Sequence, residues 1–183
     1  MSNEIKITSA SSILKNNPNP PSLLIGEWCI ENSTSMIYAS DGVGKSLLAY
    51  SLAKEISVGG KFINWNIAEA RRVIYFDAEQ DHNLVSHRLR VIDHNIVEHD
   101  NLFFVAHNGE NKKFVSTIPI LEEDESQRLI CNAVKPGDIV FFDNITTMSN
   151  SDDSDEVAAS KMGNLFLRLN TMGITVFIIH HST

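Results

Sequence analysis

The segment Ala39-Ser40-Asp41-Gly42-Val43-Gly44-Lys45-Ser46 constrains this 183-residue chain more than any other. It lies between a strand-length apolar run, residues 35–39, and a helix-period run, residues 47–58, in which Leu48, Leu52 and Ile56 recur on one face. A strand, a tight glycine turn and a helix in that order make a cradle for an anion. Gly42 and Gly44 let the backbone curl so that successive N–H groups converge, and the helix adds the positive end of its dipole. The pattern is the Walker A phosphate loop, except that Ala39 stands where the first glycine belongs. That replacement is tolerable if the position keeps φ below zero, because a Cβ is costly mainly at positive φ. A surface turn ending in Gly-Lys-Ser is the plainer alternative, but it requires neither flank. The loop therefore reads as a nucleotide phosphate site formed by Ser40, Asp41, Gly42, Val43, Gly44, Lys45, Ser46 and Leu47. Lys45 is expected to reach the β- and γ-phosphates, and the Ser46 hydroxyl to ligate magnesium.

Around this loop the chain alternates between strand-like and helix-like stretches. Residues 72–77, 102–106, 139–142 and 174–179 are short apolar runs, and helices are expected over 84–96, over 126–134 and between Val157 and Leu169. Gly59-Gly60, Lys135-Pro136-Gly137 and Gly173 punctuate them. Near-continuous apolar strands separated by helices indicate a mainly parallel sheet covered on both faces, a three-layer α/β architecture. Residues 1–21 are polar and end in Asn17-Pro18-Asn19-Pro20-Pro21, which reads as an arm or linker, leaving 22–183 as the folded domain.

Composition narrows the classes. Hydrophobic residues make up 43% and charged residues 21%, ordinary values for a globular protein. No apolar run is long enough to span a bilayer, and Glu4 and Lys15-Asn16-Asn17 interrupt any signal-like stretch. Cys29 and Cys131 sit in apolar sequence, read as packing residues, and fit a reduced, cytoplasmic setting. A net charge of -8 argues against a surface that coats nucleic acid as a whole, though not against a local groove. The acidic runs Glu122-Glu123-Asp124-Glu125 and Asp152-Asp153-Ser154-Asp155-Glu156 read as solvated helix starts.

Hydrolysis of a nucleoside triphosphate needs an aspartate for the magnesium shell and a carboxylate to align water. Asp143, closing Ile139-Val140-Phe141-Phe142, has the Walker B form and would hold magnesium, directly or through water. The following residue is Asn144, where many ATPases carry a glutamate, so either the water-aligning group lies elsewhere or the protein binds nucleotide without efficient turnover. Glu79, two residues past the run ending at Asp77, falls on the same rim of a parallel sheet as the loop. Asp77 and Asp81 are rivals, and the whole cluster could instead cap the helix beginning near His82.

His180-His181 follows the last apolar run and falls on that rim too, where a ring N–H can bond a γ-phosphate. Adjacent residues on an extended chain point opposite ways, which disfavours a shared metal. His82, His87, His94, His99 and His107 show no ligand spacing and read as surface residues.

Together these residues resemble the RecA-like P-loop ATPases, most closely the RepA-type hexameric replicative helicase branch. The resemblance runs from about Leu23 to the end. It rests on Ser22-Leu23-Leu24-Ile25-Gly26-Glu27-Trp28 before the loop strand, on Gly59-Gly60-Lys61-Phe62, and on Arg72-Val73-Ile74-Tyr75-Phe76-Asp77-Ala78-Glu79. Asp143-Asn144 and His180-His181-Ser182-Thr183 match later motifs. The resemblance implies a RecA-like fold with ATP and magnesium (Mg2+) as cofactors. It implies Lys45, Glu79, Asp143 and His181 as the catalytic set, with Glu79 activating water and His181, rather than His180, sensing the γ-phosphate. His180 is expected to line the nucleotide. Arg88 stands where the family often carries an arginine, without a definite role.

In that family the sensor strand lies centrally, beside the phosphate-loop strand, and further strands follow on the other side. The chain is therefore expected to lack C-terminal strands and the arginine finger found in or beyond them. Full assemblies of this kind are homo-oligomeric rings, often hexamers, that act on single-stranded DNA away from membranes. An ATP-dependent switch or recombination-mediator module with slow hydrolysis is the competing expectation, and a small-molecule kinase a weaker one.

Overall fold

Side chains alternate across the apolar runs, and that alternation builds a sheet with two buried faces. The computed structural model describes residues 5–16, 19–95, 100–107, 118–149 and 155–181. Ile96, His99, Asp152-Asp153-Ser154 and the closing Ser182-Thr183 lie outside the described residues. In chain order the elements are α1 (Ala10–Asn16), β1 (Leu23–Ile25), β2 (Cys29–Ile30), β3 (Thr34–Ala39), α2 (Lys45–Val58), β4 (Lys61–Phe62), β5 (Trp65–Asn66) and β6 (Val73–Asp81). They continue with α3 (His82–Ile92), β7 (Leu102–His107), α4 (Asp124–Ala133), β8 (Ile139–Asp143), α5 (Asp155–Thr171) and β9 (Thr175–His181).

Five strands form the central sheet in the order β3-β9-β8-β6-β7, and every neighbouring pair is parallel. Val73, Tyr75, Ile139, Phe141, Phe177 and Ile179 point to one face, where they pack with Ala49, Tyr50, Leu52, Ala53 and Ile56 of α2 and Val85 of α3. The intervening Ile74, Phe76, Val140, Phe142, Val176 and Ile178 meet Ile130, Cys131, Leu165 and Leu169 from α4 and α5 on the other. This is the three-layer α/β fold of RecA-like P-loop NTPases, and strands buried on both sides explain the continuous apolar runs. Both cysteines are buried and unpaired with each other. No helix among the described residues is long and apolar enough to cross a membrane.

Several expectations are corrected. The segment 1–21 contains a helix, α1, although none of its residues is buried. Glu122 is buried rather than solvated and accepts a hydrogen bond from the Ser149 hydroxyl. Asp124 and Glu125 do open α4. The helical period placed Leu48 on the core face of α2, yet it is 44% exposed. The reason is topological: β3 is an edge strand among the described residues, so the flank of α2 beyond it has no strand beneath. Met36 and Tyr38 on β3 are exposed for the same reason. The strand β9, which ends in the histidine pair, does lie beside β3, as expected, and no described strand pairs with the outer side of β3. Two short antiparallel pairs, β1-β2 and β4-β5, were not foreseen. They bring Trp28 and Trp65 edge to face, with centroids 5.7 Å apart.

Candidate functional site

The phosphate-type loop joins the carboxyl end of β3 to α2, which begins at Lys45, two residues earlier than the helical period indicates. Lys45 and Ser46 therefore lie in the first helical turn. Gly42 has φ 75° and Gly44, the N-cap, φ 93°. A Cβ at either would meet nothing within 4 Å, so the backbone conformation, not crowding, demands glycine. Ala39 does not have positive φ, which explains why a residue with a side chain serves there. No side chain caps the first turn of α2, so its N–H groups remain available to an anion. Ser40, Asp41, Gly42, Val43, Gly44 and Leu47 are exposed around this turn, whereas Lys45 is buried. The Lys45 ammonium bonds the Ser40 carbonyl at 2.7 Å and lies 3.7 Å from Asp41 Oδ1.

A ladder of aromatic rings crosses the α2 face of the sheet one register step below the acids. Phe104, Tyr75, Phe141 and Phe177 pair in register across β7, β6, β8 and β9, with neighbouring centroids 4.7 to 5.2 Å apart. Two residues further along β6 and β8, on the same face, Asp77 and Asp143 are register partners. Both are buried. Tyr75 donates to Asp143 Oδ2 at 2.6 Å, and Tyr50 of α2 donates to Asp77 Oδ2. The other oxygen of Asp77 accepts from the backbone N–H groups of Glu79 at 3.0 Å and Gln80 at 2.9 Å. Asp81 caps α3 by accepting from Leu84 N at 2.9 Å. The two rivals of Glu79 are thus occupied in shaping the strand end and the helix start, whereas the Glu79 carboxylate meets Asn144 and His181.

Asp143 Oδ1, by contrast, is buried with no hydrogen-bond partner. Burial pushes the Asp143 carboxyl up to about 6, against the lowering influence of the Tyr75 and Ser46 hydroxyls, with Asp77 and Glu79 adding to the rise. A buried carboxylate oxygen with an unused lone pair, beside a serine hydroxyl on the first turn of α2, fits a hard cation that prefers oxygen ligands. Among the described residues no group of three or more His, Cys, Asp or Glu could hold a metal. Magnesium needs no such cage, since it is commonly held by one or two side chains with phosphate oxygens and water.

Beyond the acid row the rim carries a continuous polar chain. The Asn144 side-chain nitrogen donates to Glu79 Oε1 and contacts His181 Nε2. His181 Nδ1 contacts Asp41 Oδ1 in the loop, and its Nε2 lies 3.4 Å from Glu79 Oε1. The Asp143-Asn144 peptide bond is cis. Because β9 continues through its two histidines, their side chains part company. His181 turns to the loop, while His180 lies against Tyr38, centroids 5.6 Å apart, with Nδ1 3.3 Å from Thr146 Oγ1. His180 is therefore not brought into the cluster that holds Asp41, Glu79, Asn144 and His181. Arg88 stacks on Tyr50, with its guanidinium carbon 5.9 Å from the ring centroid.

Sequence reasoning did not find Tyr50, Tyr75 or the bridging role of Asn144. The tyrosines look like core residues in a one-dimensional pattern, and only the i, i+2 spacing of Tyr75 and Asp77 signalled a shared face.

Comparison of the chain with curated proteins finds no match. The family model described as an AAA domain matches residues 2–183. A glycine loop at a helix start, a buried acid beside it and a parallel sheet that presents both on one rim agree with that match, and the chain belongs to this AAA domain family of P-loop ATPases.

Proposed function

We propose that the chain is the ATP-binding and Mg2+-dependent ATP-hydrolysing domain of a RepA-like replicative DNA helicase or a related DNA-directed ATPase. The observation that carries this reading is the polar chain Asp41–His181–Asn144–Glu79, which links the phosphate loop to a carboxylate across the rim. In it, the N–H groups from Gly42 to Leu47 and the Lys45 ammonium bind the β- and γ-phosphates. Ser46 and Asp143 Oδ1 hold the magnesium shell, Asp143 directly or through a water. Bound magnesium supplies neutralisation of the charge that develops on the phosphoryl oxygens. Glu79 accepts a hydrogen bond from the attacking water and aligns it. His181 reports the γ-phosphate.

The full assembly on this reading is a homo-oligomeric ring in which ATP lies between subunits and single-stranded DNA stimulates turnover. Steady-state hydrolysis with and without single-stranded DNA tests it. Stimulation that disappears in Lys45→Ala and Glu79→Gln is expected, and turnover indifferent to any nucleic acid counts against the DNA-directed part.

One observation favours a second reading, an ATP-dependent switch with slow hydrolysis. Glu79 Oε1 is already engaged by Asn144 and lies near His181, so its carboxylate must be released or shared before it can align water. Tight nucleotide binding with negligible single-turnover hydrolysis would select the switch.

A further inference from the structure

We infer that Asn144 is a positioning residue that couples the phosphate loop to the water-aligning carboxylate, its amide nitrogen holding Glu79 and the sensor histidine His181 in one hydrogen-bonded row. The inference rests on the reading of Glu79 and His181 given under Proposed function.

The orientation of the Asn144 amide is determined by its surroundings. Its oxygen accepts from the Thr147 backbone N–H at 2.8 Å and from the Thr147 hydroxyl at 3.1 Å. A backbone N–H can only donate, so the atom facing it is the oxygen, and the NH2 group faces Glu79 and His181. That group has two hydrogens, one for Glu79 Oε1 and one for His181 Nε2. A ring nitrogen that accepts carries no proton, so His181 holds its proton on Nδ1 and donates it to Asp41 in the loop. Asn144 therefore fixes both the rotamer of Glu79 and the tautomer of His181, and it is itself buried.

The position explains why this residue type is used. Asp143 and Ile179 are register partners on β8 and β9, and Asp77 pairs with Asp143 on β6, so the residue after Asp143 stands between the extensions of both neighbours. A glutamate there would compete with Glu79 for one place and add a second negative charge. An asparagine supplies donors to both sides and carries no charge. When a phosphate replaces Asp41 as the acceptor of the His181 Nδ1–H, the change is transmitted through one amide to the Glu79 carboxylate.

The test is a double-mutant cycle in single-turnover hydrolysis of ATP with Mg2+, with nucleotide affinity measured in parallel. Asn144→Ala is expected to slow hydrolysis about tenfold or more, as loss of an outer-shell partner does, with affinity little changed. In a Glu79→Gln background the same substitution is expected to add nothing. Nitrogen-15 NMR of the histidine rings should show His181 as the Nδ1–H tautomer in the wild type and a mixture in Asn144→Ala. If Asn144→Ala loses nucleotide binding, Asn144→Asp, which keeps the size and the Thr147 contact, carries the same cycle; loss of binding in both overturns the inference in favour of a purely structural role. Fully multiplicative losses in the cycle, or an unchanged tautomer, overturn the coupling alone. An undiminished rate in Glu79→Gln by itself overturns the underlying assignment of Glu79, and the coupling with it.

Discussion

Tyr75 donates its hydroxyl to Asp143 Oδ2 at 2.6 Å, while Oδ1 of the same carboxylate is buried without a partner. The two oxygens thus differ: one is anchored to the sheet below, and the other is buried without a bond. The anchor exists because Tyr75 belongs to the aromatic ladder one register step beneath the acids.

Tyr75→Phe should cost stability even though it keeps the ring. Removing the hydroxyl leaves a second buried carboxylate oxygen unsatisfied, a penalty of about 1–3 kcal/mol. Urea denaturation of the nucleotide-free protein measures it, and an unchanged midpoint would contradict the arrangement.

Stability of the nucleotide-free protein should depend on pH through Asp143. Its folded value of about 6 lies above the unfolded 3.8. A raised acid favours the folded state while protonated, so its contribution is full below the unfolded value and is lost as pH rises through about 6. The span between the two values corresponds to roughly 3 kcal/mol. Asp143→Asn should abolish this loss and make the variant more stable than the wild type at neutral pH, while weakening Mg2+-dependent nucleotide binding. Thermal melts of both proteins across this range check the sign; parallel curves would show that Asp143 does not titrate as described.

Two substitutions in the loop should behave oppositely to a simple count of glycines. Ala39→Gly restores the common pattern but should destabilise the fold by about 0.4–1 kcal/mol, because Ala39 does not need positive φ. Gly44→Ala should cost about 1–2 kcal/mol through its φ of 93°, although a Cβ there meets nothing. Chemical denaturation of the pair separates conformation from crowding.

Lys45→Ala should leave the fold intact, since the ammonium bonds only the loop carbonyl of Ser40 and approaches Asp41. Loss of its charge-assisted bonds to phosphate should weaken nucleotide binding by about 1.5–3 kcal/mol, or ten- to more than a hundredfold in Kd. Titration with a fluorescent ATP analogue measures it, and an affinity equal to the wild type would remove Lys45 from the site.

The α/β architecture, the loop and Asp143 were legible in the sequence because each depends on local pattern. Apolar strands buried on both faces read as continuous runs, and Gly42 and Gly44 mark positive φ directly. What was not legible depends on register. The pairing of Asp77 with Asp143, and of Tyr75 with Phe141, follows from how β6 and β8 align, which no single run encodes. The divergence of His180 and His181, by contrast, is legible from the extended run alone, and β9 stays extended to its last described residue. The exposure of Leu48 follows from strand order, which places β3 at an edge among the described residues. Glu122 reads as solvated within an acidic run, but it is buried and meets Ser149 from a distant loop.

On the proposed function, Glu79 rather than a residue beside Asp143 aligns the attacking water. Single-turnover hydrolysis of ATP with Mg2+ by the wild type and Glu79→Gln, with Kd measured for each, tests it most directly. Nearly equal affinities are expected, with a rate lower by about a hundredfold or more in the variant. Equal rates, or a loss confined to affinity, would contradict it.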